Sequence, residues 1–502
     1  ESEHDAFIAG HASGAVSAAI GMARAARLQG QHYSTIAVLG DGALTGGLAF
    51  EGLSDAGNSG DPIIVILNDN AMSITKNVGG ISNLLARLRL KPSYFGFKKA
   101  FHSVTALLPG GKKIDKFVHE VKEWIKSLLL GRTIFEEMGF IYLGPADGHD
   151  VKKLTYLLQE ARRLQKPVLL HVITQKGKGY LPAEKNPDKF HGIGPFDPKT
   201  GALRNLSADS FSDCFGQTLN AFAAQDPKIC AITAAMEQGT GLSEFAKRFP
   251  ERFFDVGIAE EHAVLMAAGL AKQGMRPVVA IYSTFLQRAY DMLVQEVALQ
   301  HLHVILAVDR AGLVGEDGET HDGVFDVGFL RQIAGVTIYC PANFEELREM
   351  MESAIYTVDG PVAIRYPRGG EGAYRSCAGQ TVLRSGSELT IVTYGTMIEK
   401  VLPCAAALEA QQHSVEILKL PTIAPLDLDC ICESVKKTGH LLVVEDAAEV
   451  GCIGTELAAE LQKRGIAAKV CLKNLGSGIV THGKVELLLP PLGLDSESLT
   501  KA

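Results

Sequence analysis

The chain has 502 residues, 46% of them hydrophobic and 21% charged, with a formal net charge of −8 at pH 7. That length and apolar fraction suit about three domains with sizeable cores, while the acidic balance and the lack of any long Lys/Arg block argue against nucleic acid as a main partner. No apolar run approaches the roughly 18 residues of a membrane span, so no membrane partner is expected.

Three successive blocks, residues 1–195, 196–375 and 376–502, alternate short Val/Ile-rich strands with Ala/Leu-rich helices. This is the α/β pattern of mostly parallel sheets flanked by helices. All nine cysteines lie at or beyond Cys214 and none forms a CxxC pair, which points to reduced, buried thiols in a cytoplasmic type of compartment. The opening "ESEHDAF" has neither an initiator Met nor a signal peptide, so the chain reads as a fragment or a processed form whose targeting is not legible there.

In the first block, "AGHASGAVSAAIGMA" places His11 before an Ala/Gly-rich helix whose N-terminus suits an anion. Strands follow at "TIAVLG", "PIIVILN", "FIYLG" and "PVLLHVIT". The first stops on Gly40-Asp41-Gly42 and the second on Asn70, 29 residues beyond Asp41, about one strand, crossover helix and strand. By itself Gly-Asp-Gly is a tight turn. Paired with Asn70 at this spacing it offers a carboxylate, an amide oxygen and a backbone carbonyl just beyond, at the sheet edge where ligands collect. That incomplete oxygen set suits Mg²⁺ sharing its octahedron with phosphate oxygens, and Gly40 and Gly42 allow the backbone to approach them closely. Residues 81–130 are basic and amphipathic and read as a helical insertion, either a lid or a packing arm.

A Pro/Gly-rich stretch from Gly192 to Asp209 reads as a linker over the surface. The second block then gives strands at "ICAITAA", "FFDVGIA", "PVVAIYS", "HVILAVD" and "VAIRYPRG". Glu260 and Glu261 enter a helix after an apolar strand; they are either first-turn glutamates favoured by the helix dipole or a buried acid. "IYSTFLQRAYDM" carries Tyr282, Phe285 and Arg288, either core aromatics or a ring-stacking set. "AVDRAGLVGEDGETHDG" ends a strand on Asp309 and Arg310 and continues into a Gly-rich loop bearing Asp317 and His321, and "YPRGG" adds Arg368. Two arginines at separate strand ends are placed to clamp a phosphate, with structural salt bridges as the alternative. The third block has strands at "LTIVTYG", "VEILKL", "LLVVED" and "AAKVCLKNL" and no comparable constellation.

The stretches "GDGALTGGLAFEGLSDAG", "VILNDNAMSITKNVGG", "YLGPADGHD", "KGKGYLPAEKNPDKFHG" and "DVGIAEEHAV" resemble, in order and context, the 1-deoxy-D-xylulose-5-phosphate synthase family of transketolase-like thiamine-diphosphate enzymes. The resemblance implies a diphosphate- and Mg²⁺-binding first domain, a pyrimidine- and acceptor-binding second domain and a transketolase-type C-terminal domain. It implies Mg²⁺ on Asp41, Asn70 and the Met72 carbonyl, with Ile74 as the apolar wedge that bends thiamine diphosphate. His11, Gly40, Gly42 and Lys176 would surround the cofactor. Glu260 falls on the catalytic glutamate that shares a proton with the pyrimidine ring, and Phe285 would stack on that ring. Tyr282, Arg288, Arg310, Asp317 and Arg368 would bind the acceptor, the two arginines Arg310 and Arg368 at its phosphate. His321 and His191 would lie by the carbonyl groups, stabilising the pyruvate adduct or shuttling protons. Gly14 and Ala15 depart from the hydroxyl residues usual at their place, Glu261 stands where Gln is common, and "NLGSGIV" replaces the usual Leu-Pro-Asp version.

The implied reaction condenses pyruvate with D-glyceraldehyde 3-phosphate, releases CO₂ and yields 1-deoxy-D-xylulose 5-phosphate, the first step of the methylerythritol phosphate route to isoprenoids and a source for vitamin synthesis. A homodimer is implied, cytoplasmic or, in a plant, in the plastid stroma, with the third block as a supporting domain and subunit contact. Two other readings are a transketolase, which takes a ketose phosphate as donor, and a catalytically silent homologue that binds the cofactor without turnover.

Overall fold

A computed structural model describes residues 6–7, 10–72, 79–89, 132–203, 209–375 and 381–502. The chain forms two compact units, residues 1–206 with 257–259, and residues 207–256 with 260–502.

The first unit is built on four parallel strands, β1 (Thr35–Gly40), β2 (Ile63–Asp69), β3 (Ile141–Asp147) and β4 (Val168–Ile173), in the order β1-β2-β4-β3. β2 and β4 are mostly apolar because both their faces are buried, whereas edge strand β1 alternates, burying Ala37 and Leu39 and exposing Ile36 and Val38. The longer helices of this unit are α1 (Ala15–Leu28), α2 (Gly47–Ser59), α3 (Gly79–Arg89) and α4 (Val151–Leu164). Helix α4 starts where the Asp150 carboxylate accepts the Lys153 N–H at 3.0 Å, one of the orphan donors of a first turn. Of the expected helical insertion, α3 covers the beginning, and residues 90–131 lie outside the described residues.

Helix α2 meets the turn before β3 so closely that a Cβ on Gly57 would stand 2.2 Å from the Met138 carbonyl oxygen. Gly57→Ala is therefore expected to cost about 1–3 kcal/mol through overpacking against backbone that cannot rotate away, read as a lowered midpoint in chemical denaturation. The stretch expected to be a linker begins as part of this unit. Phe196 packs against Tyr180 and Phe190, with ring centroids 5.9 and 5.4 Å away, and bridges to Leu203. Residues 204–208 lie outside the described set.

The second unit contains two sheets. The parallel strands of the larger are β5 (Ile229–Thr233), β6 (Phe253–Asp255), β7 (Arg276–Tyr282), β8 (Ile305–Asp309), β9 (Thr337–Tyr339) and β10 (Val362–Arg365). The smaller is made from β11 (Val382–Arg384), β12 (Leu389–Tyr394), β13 (Val415–Leu420), β15 (His440–Val444) and β16 (Lys469–Lys473), in the order β11-β13-β12-β15-β16. The remaining strand, β14 (Thr422–Ala424), follows β13 in the chain yet pairs antiparallel with β9, which gives the larger sheet the order β14-β9-β10-β8-β7-β5-β6. One apolar cluster runs through both sheets, from Ile232 and Val279 to Val392, Leu418 and Val443. Strands β9, β11 and β14 are absent from the sequence expectation, because three residues each give too short a pattern to read. Helices α5 (Phe211–Gln225), α6 (Glu260–Lys272) and α7 (Phe344–Tyr356) belong to the larger sheet's part of the unit.

Candidate active site

In the first unit the C-terminal ends of β1 and β2 bring Asp41 beside Asp69. Strand register sets Gly40 against Asn68, and the Asp41 N–H donates to the Asn68 carbonyl at 3.1 Å. Asp41 is 2% exposed; burial and then the neighbouring charge of Asp69 push its carboxyl up to about 6. Asn70 follows at the end of β2, where its Oδ1 accepts the Met72 N–H at 3.0 Å and fixes the turn through Ala71, held in the left-handed region at φ 66°. A non-glycine residue in that region is uncommon and marks a site whose turn is over-determined.

Behind this edge lies a buried chain that sequence reasoning missed. Tyr142 Oη bonds His171 Nδ1 at 2.6 Å, and His171 Nε2 bonds Asp69 Oδ2 at 2.9 Å. Arg89 Nε donates to the same Asp69 oxygen at 2.7 Å. Burial opposes ionisation of Asp69, but the bonds from His171 and Arg89 outweigh it and hold the group below the usual carboxylate range. The available signal was His171 standing alone within the otherwise apolar strand "PVLLHVIT".

Lys176 follows β4, and burial lowers its ammonium while Asp188 and Asp41 oppose that, which places it within reach of the Asp41 charge. Burial and then the Lys176 charge lower His191, leaving it neutral near pH 7. His11 stands in the turn before α1, which opens at Gly14 without a side-chain cap, so the first amides of α1 receive nothing from an N-cap side chain. Ile74 lies outside the described residues.

The residues present fit a metal-bound diphosphate. The donors at the strand ends are oxygens, one of them a buried carboxylate whose raised proton affinity a cation would relieve. A Cβ on Gly40 would meet nothing within 4 Å, so the backbone borders open space. Among the described residues no cluster of three or more His, Cys, Asp or Glu forms a metal site of another kind.

In the second unit Glu260 is the first residue of α6 and 1% exposed. Burial raises its carboxyl, opposed by Arg288, whose Nη1 reaches Glu260 Oε2 at 3.4 Å. Arg288 is thus placed with the glutamate, apart from the other two candidate arginines. The end of β7 and the following helical turn set Tyr282 and Phe285 in a stacked pair, centroids 5.9 Å apart, and Phe285 meets His321 edge-on at 5.4 Å.

Arg310, past the end of β8, is left-handed at φ 59° and lays its guanidinium 3.9 Å from the centre of the Tyr282 ring. Its Nη1 donates to Asp317 Oδ2 at 2.9 Å, while Arg368 Nη1 pairs with Asp317 Oδ1 at 3.2 Å. One carboxylate therefore holds both arginines. Burial pushes the Tyr282 hydroxyl up to about 12, and burial, helped by Arg310 and opposed by Asp317, lowers His321. Tyr282, Phe285, Arg310, Asp317, His321 and Arg368, spread over 87 positions of sequence from 282 to 368, form one contiguous set.

Three family descriptions match the chain in order: 1-deoxy-D-xylulose-5-phosphate synthase over residues 1–174, the transketolase pyrimidine-binding domain over 209–370 and the transketolase C-terminal domain over 379–499. A 1-deoxy-D-xylulose-5-phosphate synthase from Desulforudis audaxviator is 44% identical and one from Syntrophomonas wolfei 46%, each over 100% of this chain and 80% of the relative. Among solved structures, a split-gene transketolase, an inactive β4 tetramer, has 27% identity and a TM-score of 0.53, over 59% of this chain and 97% of its own. A transketolase from Campylobacter jejuni has 18% identity and a TM-score of 0.50, over 97% of this chain and 80% of its own, a likeness of fold alone.

Proposed function

Because the chain belongs to the 1-deoxy-D-xylulose-5-phosphate synthase family of thiamine-diphosphate-dependent transferases, its activity is the formation of 1-deoxy-D-xylulose 5-phosphate, and we propose how its residues divide that work. Pyruvate is the donor and D-glyceraldehyde 3-phosphate the acceptor. Residues 1–195 hold the diphosphate and Mg²⁺, residues 196–375 take the pyrimidine and the acceptor, and residues 376–502 form the transketolase-type C-terminal domain. The observation that carries the reading is the pair of guanidiniums, Arg310 and Arg368, held on the two oxygens of Asp317 beside Tyr282, since such a fork matches a phosphate.

Asp41, Asn70 and the Met72 carbonyl hold Mg²⁺, and Lys176, His11 and the backbone at Gly40 and Gly42 face the diphosphate. When bound, thiamine diphosphate supplies an electron sink for the carbon left by decarboxylation. Glu260, its carboxyl raised by burial, keeps a proton to share with a ring nitrogen. Phe285 offers a face for that ring. His321 and His191, lowered by burial and so neutral near pH 7, donate to the substrate oxygens from a ring N–H, His321 with its Nδ1 already paired to the Thr320 hydroxyl at 2.9 Å. Tyr282 keeps its hydroxyl proton and donates it to the acceptor's hydroxyl group.

Against the transketolase reading, the relatives named for the synthase reach 42–46% identity along the chain, whereas the transketolase structures share 18% and 27%. We propose a cytoplasmic homodimer. The eight described cysteines are all free, as a reducing compartment requires, and no helix among the described residues is long and apolar enough to cross a membrane.

A mass-spectrometric assay with pyruvate, D-glyceraldehyde 3-phosphate, thiamine diphosphate and Mg²⁺ tests the reading. Product at the mass of 1-deoxy-D-xylulose 5-phosphate is expected; product only with a ketose phosphate donor would mean transketolase, and cofactor binding without any product a silent homologue. The metal assignment has a separate readout. Thiamine diphosphate with Mg²⁺ at about 100 times its Kd is expected to stabilise the parent by about 2.7 kcal/mol, a shift that excess chelator abolishes and that Asp41→Asn does not show.

A further inference from the structure

The loop from Ala311 to Gly323, which bears Asp317 and His321, is closed at its base by two backbone bonds, Gly312 N–H to Gly323 O at 2.9 Å and Gly323 N–H to Gly312 O at 2.8 Å. Its glycines at 312, 315 and 318 are all left-handed, so the loop has little conformational preference of its own and takes its shape from what it lies against. On one side it lies against Phe285, Thr284 and Arg368 of the second block; on the other it lies against the third block. At the base, a Cβ on Gly312 would stand 2.3 Å from Asp446 Oδ2, and the Ala448 N–H donates to the Val324 carbonyl at 2.9 Å. At the tip, the Gly483 N–H reaches the Gly315 carbonyl at 3.4 Å, and a Cβ on Gly315 would stand 2.6 Å from the Gly483 carbonyl oxygen.

Asp446 is itself anchored. Its Oδ1 accepts from Arg365 Nη1 at 2.8 Å and its carbonyl from Arg365 Nη2 at 3.1 Å, while Arg365 Nε donates to Asp326 Oδ2 at 2.8 Å. Arg365 is 4% exposed and ends β10, three positions before Arg368. A buried ion cluster of this kind is a weak source of stability, because desolvation offsets the attraction, and its best-attested use is to fix a registry. Here the registry joins both arginine-bearing strand ends: the loop after Arg310 and the strand leading to Arg368.

We propose that the C-terminal domain is a positioning element for the acceptor phosphate, with Asp446 and Arg365 latching the base of the Asp317 loop and the segment around Gly483 backing its tip. The inference rests on the functional reading above. Asp446→Ala opens the latch, Gly312→Ala displaces the loop without removing any charge, and Asp446→Asn keeps the shape and the acceptor oxygen for Arg365. Steady-state kinetics of the full chain, with CO₂ release from pyruvate alone as a donor-side control, separate positioning from mere support. We expect Asp446→Ala and Gly312→Ala each to raise KM for D-glyceraldehyde 3-phosphate about tenfold, of the size seen for couplings through a packed network. KM for pyruvate and CO₂ release are expected to stay within about twofold of the parent, with Asp446→Asn close to the parent throughout. An unchanged acceptor KM in both folded variants, or donor and acceptor KM rising together, overturns the proposal. A parent that makes no product from these substrates overturns the functional reading and the latch with it.

Discussion

Glu260→Ala is expected to lower kcat about 1,000-fold, the middle of the range for a lost general acid–base group, with little change in stability. The carboxyl is nearly fully buried, sits at the start of α6 and is shifted upward by burial, so at neutral pH it holds a proton more readily than an exposed glutamate. A carboxyl held toward its protonated form beside a single arginine is suited to share a proton. Its link to Arg288 is long at 3.4 Å, and the Arg288 side chain is 19% exposed, so truncating Glu260 leaves an arginine that water can reach. Glu260→Gln keeps volume and hydrogen bonding but has no proton to exchange, and should fall nearly as far as the alanine variant. Product formation under single-turnover conditions, beside a denaturation midpoint, checks both statements. Parent-like turnover by Glu260→Gln would remove Glu260 from proton transfer and leave it a merely polar wall.

The strand ends were legible from sequence because parallel-sheet strands buried on both faces are written as unbroken apolar runs, and the residues just past such a run lie at the ligand edge. Asp41, Asn70 and Arg310 all stand there. Asp69 was passed over although it adjoins Asn70, because its meaning comes from Tyr142, His171 and Arg89, which arrive from other strands and a helix, up to 102 positions away for His171. The joining of Arg310 and Arg368 through Asp317 was likewise invisible as geometry, and a pair of strand-end arginines is as easily two unrelated salt bridges. Asp446 had no local signal at all. An acidic residue after an apolar strand is common, and only the fold sets it against Gly312. The strand β14 is three residues long, too short a pattern to read, and its partner β9 belongs to another block of the chain.

Replacing either phosphate-site arginine, as Arg310→Gln or Arg368→Gln, is expected to raise KM for D-glyceraldehyde 3-phosphate about 10- to 100-fold, the equivalent of one charge-assisted hydrogen bond of about 1.5–3 kcal/mol. Because both guanidiniums share Asp317, the double variant should depart from additivity. Arg310 has a second duty, covering the Tyr282 ring at 3.9 Å, so its loss should also affect kcat, whereas that of Arg368 should show in KM alone. Lysine at either position keeps the charge but not the planar fork and should recover only part of the affinity. The discriminating substrate is D-glyceraldehyde without its phosphate. If the arginines recognise phosphate, the parent's preference for the phosphorylated acceptor collapses in each variant, while the unphosphorylated one is handled as before by the Arg368 variant and loses only in kcat with the Arg310 variant. If both acceptors weaken equally, the arginines serve to hold Asp317 and its loop, and the phosphate is bound elsewhere.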